Sequence, residues 1–176
     1  MKILFLDFDG VMNSAAWFKK LTESRKKGES FLTRHSDELD PDCVDRVKYI
    51  VDQTSAKVVI SSSWRILHTD AELKDILRLH EWDCPIIGHT PKRLPGGSSF
   101  RGDEVDFWLT TTDAEGVTKF ICLDDNSDFH PHNNLLQTSW DTGITDEDAF
   151  NAIAFLKGDI EKPVSNPNAK AEWYEE

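Results

Sequence analysis

Ile3-Leu4-Phe5-Leu6-Asp7-Phe8-Asp9-Gly10 is the stretch that decides the fold class. Four apolar residues run straight into two acids and a glycine. A short continuous apolar run bounded by turn residues reads as a strand buried on both faces, as in a parallel sheet. The design recurs twice. Val58-Val59-Ile60 runs into Ser61-Ser62-Ser63, and Phe120-Ile121-Cys122-Leu123 runs into Asp124-Asp125-Asn126-Ser127-Asp128. In open α/β sheets, ligands bind just beyond the carboxyl ends of the strands. Two strands therefore deliver carboxylates, and a third delivers hydroxyls, to one edge. That is a metal and phosphate site in outline.

Working outward, Pro85-Ile86-Ile87-Gly88 and Leu135-Leu136-Gln137-Thr138 read as two further short strands. Asp40-Pro41 has the form of an N-cap followed by proline in the first helical turn. Val44, Val47, Ile50 and Val51 follow at helical spacing. Thr69-Asp70 opens a helix with Leu73, Ile76, Leu77 and His80 on one face. Residues 102–109 form another, with Val105, Trp108 and Leu109 inward. Thr145-Asp146-Glu147-Asp148 has the form of a capping box and starts a helix through Leu156. Residues 14–40 read as a long loop or a small helical insertion. Strands alternating with helices predict a doubly wound, Rossmann-like α/β sheet with helices on both faces.

At 176 residues, one domain is the default. The expected layout is a domain over 1–156 and a surface tail over 157–176. The net charge is −12 with no basic block, which argues against extensive duplex binding to nucleic acid. Cys43, Cys84 and Cys122 are odd in number and far apart, so they support neither a disulfide framework nor a zinc ribbon. A reducing, cytoplasmic setting is expected. The N-terminal apolar stretch is too short for a signal peptide or a membrane span.

Asp7-Phe8-Asp9-Gly10-Val11 resembles the first motif of the haloacid-dehalogenase-like (HAD) phosphatases. Val59-Ile60-Ser61 resembles their second motif and Leu123-Asp124-Asp125 their fourth. The resemblance covers residues 1–156 and implies a minimal cap, the 14–40 insertion after the first motif. More locally, Ser61-Ser62-Ser63-Trp64-Arg65, Arg101-Gly102-Asp103-Glu104 and residues 123–128 resemble small HAD domains associated with RNA-repair proteins.

The chemistry follows from residue types. A carboxylate that attacks phosphorus forms an aspartyl phosphate and splits hydrolysis into two easier steps. Asp7 is the expected nucleophile. Asp9 is placed to supply and remove the protons. The resemblance sharpens this, because an acid at the second position marks the phosphatases rather than the dehalogenases. Crowded acids at Asp7, Asp9, Asp124 and Asp125 would repel one another without a cation. An oxygen-rich cluster suits Mg²⁺. The expected ligands are the Asp7 carboxylate, the Asp9 carbonyl and Asp125, with Asp124 or Asp128 acting through water. Ser61 and the Ser62 N–H should hold phosphoryl oxygens. Arg101 stands where the superfamily has its third-motif cation, and Lys92 competes for that role.

Blander readings accompany several residues. Asp124 to Asp128 imitates the start of a calcium loop, but Phe129 stands where that loop needs glycine. His130 and His132 read as exposed loop histidines rather than a metal pair, and His89 as a loop histidine ahead of a substrate contact. Trp64 reads as a packing residue ahead of a base-stacking one. Arg65 either reaches phosphate or pairs with an acid. Arg25-Lys26-Lys27 reads as a solvated face, or as a guide for an anionic substrate. A receiver domain would need its phosphoacceptor after the third strand, where Gly88-His89 stands. Toprim and PIN nucleases do not account for Asp7-Phe8-Asp9-Gly10 together with Ser61.

The expected function is Mg²⁺-dependent phosphomonoester hydrolysis on a nucleotide or a nucleic-acid 3′-phosphate end. Another small metabolite, a phosphoprotein, or a non-catalytic metal- and phosphate-binding role stand as alternatives. No membrane partner is expected.

Overall fold

The computed structural model describes residues 1–26, 35–111, 114 and 116–165. Five strands form one parallel sheet: β1 (Lys2–Leu6), β2 (Lys57–Ile60), β3 (Ile86–His89), β4 (Lys119–Asp124) and β5 (Leu135–Gln137). Their order across the sheet is β3-β2-β1-β4-β5. The chain winds outward from β1 to β3, then returns to the other side of β1 for β4 and β5. The switch point of this Rossmann-like α/β fold therefore lies between β1 and β4, where such folds place ligands.

Alternation along the strands builds two cores. Leu4, Leu6, Val58, Ile60, Ile121 and Leu123 face a large layer. Helices α2 (Pro41–Thr54), α4 (Asp70–Arg78) and α6 (Asp146–Lys157) cover it, with the single-turn α3 (Trp64–Leu67) between β2 and α4. Ile3, Phe5, Val59 and Cys122 face the other side, where α5 (Arg101–Thr111) packs through Val105 and Trp108. Phe5 meets Trp108 and Phe120 edge to face, at centroid distances of 5.4 and 5.8 Å. The sheet is thus covered on both faces, as buried all-apolar strands require.

The capping signals act as their chemistry dictates. Asp40 accepts from the Asp42 N–H ahead of α2. Thr69 with Glu72, and Thr145 with Asp148, form reciprocal capping boxes. His80 lies beyond the end of α4, and its ring meets the Ser36 carbonyl at 2.9 Å. Gly158 ends α6 in a left-handed conformation, and the Ser165 hydroxyl then accepts the Gln137 N–H of edge strand β5.

The segment after the first motif holds a twelve-residue helix, α1 (Ala15–Lys26), and a short 3₁₀ turn at His35–Glu38. Ser14 caps α1, its Oγ accepting the Trp17 N–H at 3.2 Å. The Arg25 side chain, Lys27 and Gly28 lie outside the described residues, so the basic stretch has no structural account. All three cysteines are free and buried. Among the described residues no helix is long and apolar enough to cross a membrane.

Candidate active site

Strand register sets the site. Leu6 pairs with Ile60 on one side and Leu123 on the other. Asp7, Ser61 and Asp124 are each the next step, so they leave the sheet edge at one level. The Asp7 N–H still reaches the Leu123 carbonyl at 3.0 Å, and the Ser61 N–H reaches the Leu6 carbonyl at 2.9 Å. The three groups therefore stand on neighbouring strand ends, roughly 5 Å apart by strand spacing.

Asp7, Asp124 and Asp125 each place a carboxylate oxygen within 4.8 Å of the others. Asp7 and Asp124 are fully buried, and Asp125 is half-buried. Gly10 permits this crowding. Its φ is +68°, and a Cβ there would fall 2.4 Å from the Asp125 Cγ. Only glycine meets both demands without strain.

Arg101, the first residue of α5, reaches into the cluster. Its Nη2 lies 3.2 Å from Asp7 Oδ2, and its Nη1 lies 3.7 Å from Asp124 Oδ2. The start of α5 is held by Asp128, whose Oδ2 accepts the Arg101 N–H at 3.1 Å and whose carbonyl accepts that of Gly102. Lys92 is exposed and pairs with none of these acids.

Burial raises the carboxyl of Asp7, against the pull of Arg101 and hydrogen bonds from Ser62 and the Phe8 N–H. Burial and then the charge of Asp7 push Asp124 well above the usual carboxylate range. The same two causes push Asp125 up to about 6. Burial works against the charge of Arg101, but Asp7 and Asp124 outweigh it and raise its pKa. One guanidinium thus faces three crowded acids. Ser61 Oγ, Arg101 Nη1 and Asp124 Oδ2 are buried without a hydrogen-bond partner among the described residues. Buried polar groups normally find partners, so unpaired donors and acceptors at one sheet edge suit a bound anion and cation. An all-oxygen donor set suits a hard cation such as Mg²⁺.

The remaining candidates fall elsewhere. Phe8 turns into the core and stacks at a tilt on Trp64, 5.1 Å between centroids. Trp64 is a buried packing residue, and its indole N–H also points at Asp9, 3.2 Å from both carboxylate oxygens. Asn13, which the motif reading did not single out, donates to Asp9 Oδ1 at 2.8 Å. Arg65 is buried and pairs with Glu104 rather than reaching the acids. His130 and His132 pair with Asp103 and Asp106 of α5, and His89 pairs with Asp70. Among the described residues, Asp7, Asp124 and Asp125 are the one metal-capable group of three.

The family model for the HAD domain in Swiss Army Knife RNA repair proteins matches residues 3–149. The chain belongs to this family. No curated protein and no solved structure matches it. In this HAD domain the match runs from β1 into α6 and takes in every strand-end residue described above. The buried acidic cluster of Asp7, Asp124 and Asp125 fits a HAD metal site. A HAD domain with such a cluster suggests a phosphohydrolase.

Proposed function

We propose that the chain is a Mg²⁺-dependent phosphomonoesterase that works through an aspartyl phosphate on Asp7. One observation carries the reading. A buried carboxylate at the switch point faces a guanidinium at 3.2 Å and stands among further acids and an unpaired serine hydroxyl. Arg101 pulls Asp7 toward the nucleophilic anion against the burial that raises its carboxyl, and its Nη1, 3.7 Å from Asp124 Oδ2 and without a hydrogen bond among the described residues, is a donor for a phosphoryl oxygen. Ser61 Oγ and the Ser62 N–H complete that cradle. Asp7, Asp125 and the Asp9 carbonyl would hold the Mg²⁺, with Asp124 beside them. Bound there, the ion offsets charge on the phosphoryl group and on the crowded acids.

Asp7 attacks phosphorus, and Asp9 protonates the departing oxygen. Asp9 then takes a proton from the water that hydrolyses the acyl phosphate. The domain matches a family described from RNA-repair proteins, so a nucleic-acid 3′-phosphate end, or a nucleotide, is the favoured substrate. The net charge of −12 favours contact with a chain end over long duplex contacts.

The test is a screen of phosphomonoesters with Mg²⁺, including nucleotides, sugar phosphates and 3′-phosphorylated oligonucleotides. A 3′-phosphorylated oligonucleotide should exceed the matching mononucleotide in kcat/KM, with the advantage shrinking as salt rises. Equal turnover without a salt effect would favour a metabolite substrate. No turnover of any ester would end the enzymatic reading.

A further inference from the structure

Asp9 is held by groups that the reaction as written above does not use. The Trp64 indole N–H lies 3.2 Å from Asp9 Oδ1 and 3.2 Å from Oδ2. The Asn13 amide donates to Oδ1 at 2.8 Å. Asn13 is itself anchored, because its Oδ1 accepts the Gly10 N–H at 2.9 Å, and it is fully buried. Trp64 is anchored as well. Its backbone N–H reaches Ser62 Oγ at 3.3 Å, and its ring lies against Phe8. Two supports from separate stretches of the chain therefore converge on one carboxylate.

We propose that Trp64 and Asn13 are positioning residues that orient Asp9 so that its Oδ2 handles the proton exchanged with substrate. The proposal rests on the acid/base role given to Asp9 above. Oδ1 receives two donors. Oδ2 shares only the forked indole N–H. A carboxylate oxygen has two lone-pair directions, so Oδ2 keeps the capacity to bind and deliver a proton. An aspartate on a turn has two freely rotating side-chain bonds. Without lateral support it would spend much of its time out of reach of the leaving group. Correct orientation is a large part of what intramolecular catalysis supplies.

The placement of Trp64 couples two tasks. It follows Ser61-Ser62-Ser63 directly, so the turn that presents hydroxyls to phosphate also presents the indole to Asp9. In the first half-reaction an Asp7 oxygen bonds to phosphorus, the bond from phosphorus to the ester oxygen breaks, and that oxygen takes the Oδ2 proton. In the second, water bonds to phosphorus, the acyl-phosphate bond breaks to regenerate the Asp7 carboxylate, and Oδ2 recovers a proton from the water.

The experiment uses the full chain with Mg²⁺ and two substrates. Adenosine 3′-monophosphate has an alkoxide leaving group that needs a proton. p-Nitrophenyl phosphate releases a stabilised phenolate that does not. Trp64→Phe keeps a ring against Phe8 and deletes the N–H. 3-Benzothienylalanine at position 64 keeps the bicyclic shape as well, which guards against loss of folding. Both variants should lose about tenfold more kcat on the nucleotide than on the nitrophenyl ester, a fraction of the 10²–10⁴ typical of general acid catalysis. Asp9→Asn should show a larger split in the same direction. Equal losses on both substrates in the two position-64 variants, with the Asp9→Asn split intact, would overturn the role of Trp64 alone. No split in Asp9→Asn would remove the acid role of Asp9 and this proposal together.

Discussion

Arg65 and Glu104 form a buried ion pair, Nη2 to Oε2 at 2.6 Å, that ties the turn after β2 to the helix that begins at Arg101. Arg65 also donates to the carbonyls of Ser61, Ser62, Thr90 and Pro91. One side chain thus braces the serine turn, the exit of β3 and the first turn of α5. Burial lowers the pKa of Arg65 and raises that of Glu104, and each partner's charge opposes the shift on the other. The pair is a frame for the serine turn, where the phosphate is proposed to bind.

Breaking that pair on one side leaves a charge buried without its partner. Glu104→Ala should cost about 3–5 kcal/mol of stability, read by urea denaturation. The double variant Arg65→Met with Glu104→Leu should recover much of that stability yet hold phosphate poorly, because the serine turn loses its brace. A single variant as stable as wild type would show that the frame is dispensable.

Asp7→Asn keeps shape and removes the attacking anion. Turnover should fall by several orders of magnitude while the melting temperature of the metal-free protein holds or rises, since one crowded acid is gone. A folded variant that keeps more than a few per cent of activity would mean that the nucleophile lies elsewhere.

Arg101 and Lys92 can be ranked directly. Arg101→Ala should reduce kcat by about 10²-fold or more, the scale for removing one preorganised donor at a developing charge. Lys92→Ala should stay near wild type, because Lys92 is exposed and away from the acids. The reverse order in steady-state kinetics would move the cationic role to Lys92.

Stability should depend on pH in a stated direction. Burial and Asp7 push Asp125 up to about 6 from 3.8, and Asp124 also lies well above 3.8. Between 3.8 and 6 the folded chain binds more protons than the unfolded one. Stability contributed by these groups therefore falls as pH rises through that window. The chelated protein should lose melting temperature from pH 5 to pH 7.5 relative to Asp125→Asn, whose profile should be flatter. Mg²⁺ should restore a few degrees at pH 7.5 and little at pH 5, because it binds the ionised cluster of the folded state. Parallel profiles of the two proteins in a thermal-shift assay would refute the coupling.

Gly10→Ala tests the crowding itself. A Cβ would fall 2.4 Å from Asp125 Cγ at a backbone φ of +68°. The variant should lose more than about 1 kcal/mol and need more Mg²⁺ for half-maximal activity. Unchanged Mg²⁺ dependence would show that Asp125 moves aside freely.

Much of the architecture was legible because local signals agreed. The apolar runs of β1, β2 and β4 stop where the acids and serines begin, and a buried strand has no other place to put them. The boundaries moved by a residue at Ile86–His89 and at Arg101, where no cap residue marks the edge. Helix α1 was read only as a loop or small helical insertion. Its one signal, Ser14 as a cap, precedes a stretch whose apolar residues crowd into 15–21 and stop there, so no helical period runs through it.

The candidate site divides in the same way. Asp7, Asp9, Ser61, Asp124 and Asp125 stand out in the chain because each ends or follows an apolar strand, and parallel strands must bring their ends together. The partners of Asp9, Arg65 and Arg101 did not stand out. Trp64 meets Asp9, Arg65 meets Glu104 and Arg101 meets Asp7 across 55, 39 and 94 residues respectively. The sequence by itself determined which groups arrive at the sheet edge, because period and strand polarity are local properties. Only the tertiary structure decided which cation faces Asp7 and which donors hold Asp9. Those choices depend on how α5 and the serine turn pack against the sheet, and packing is settled by contacts between distant segments.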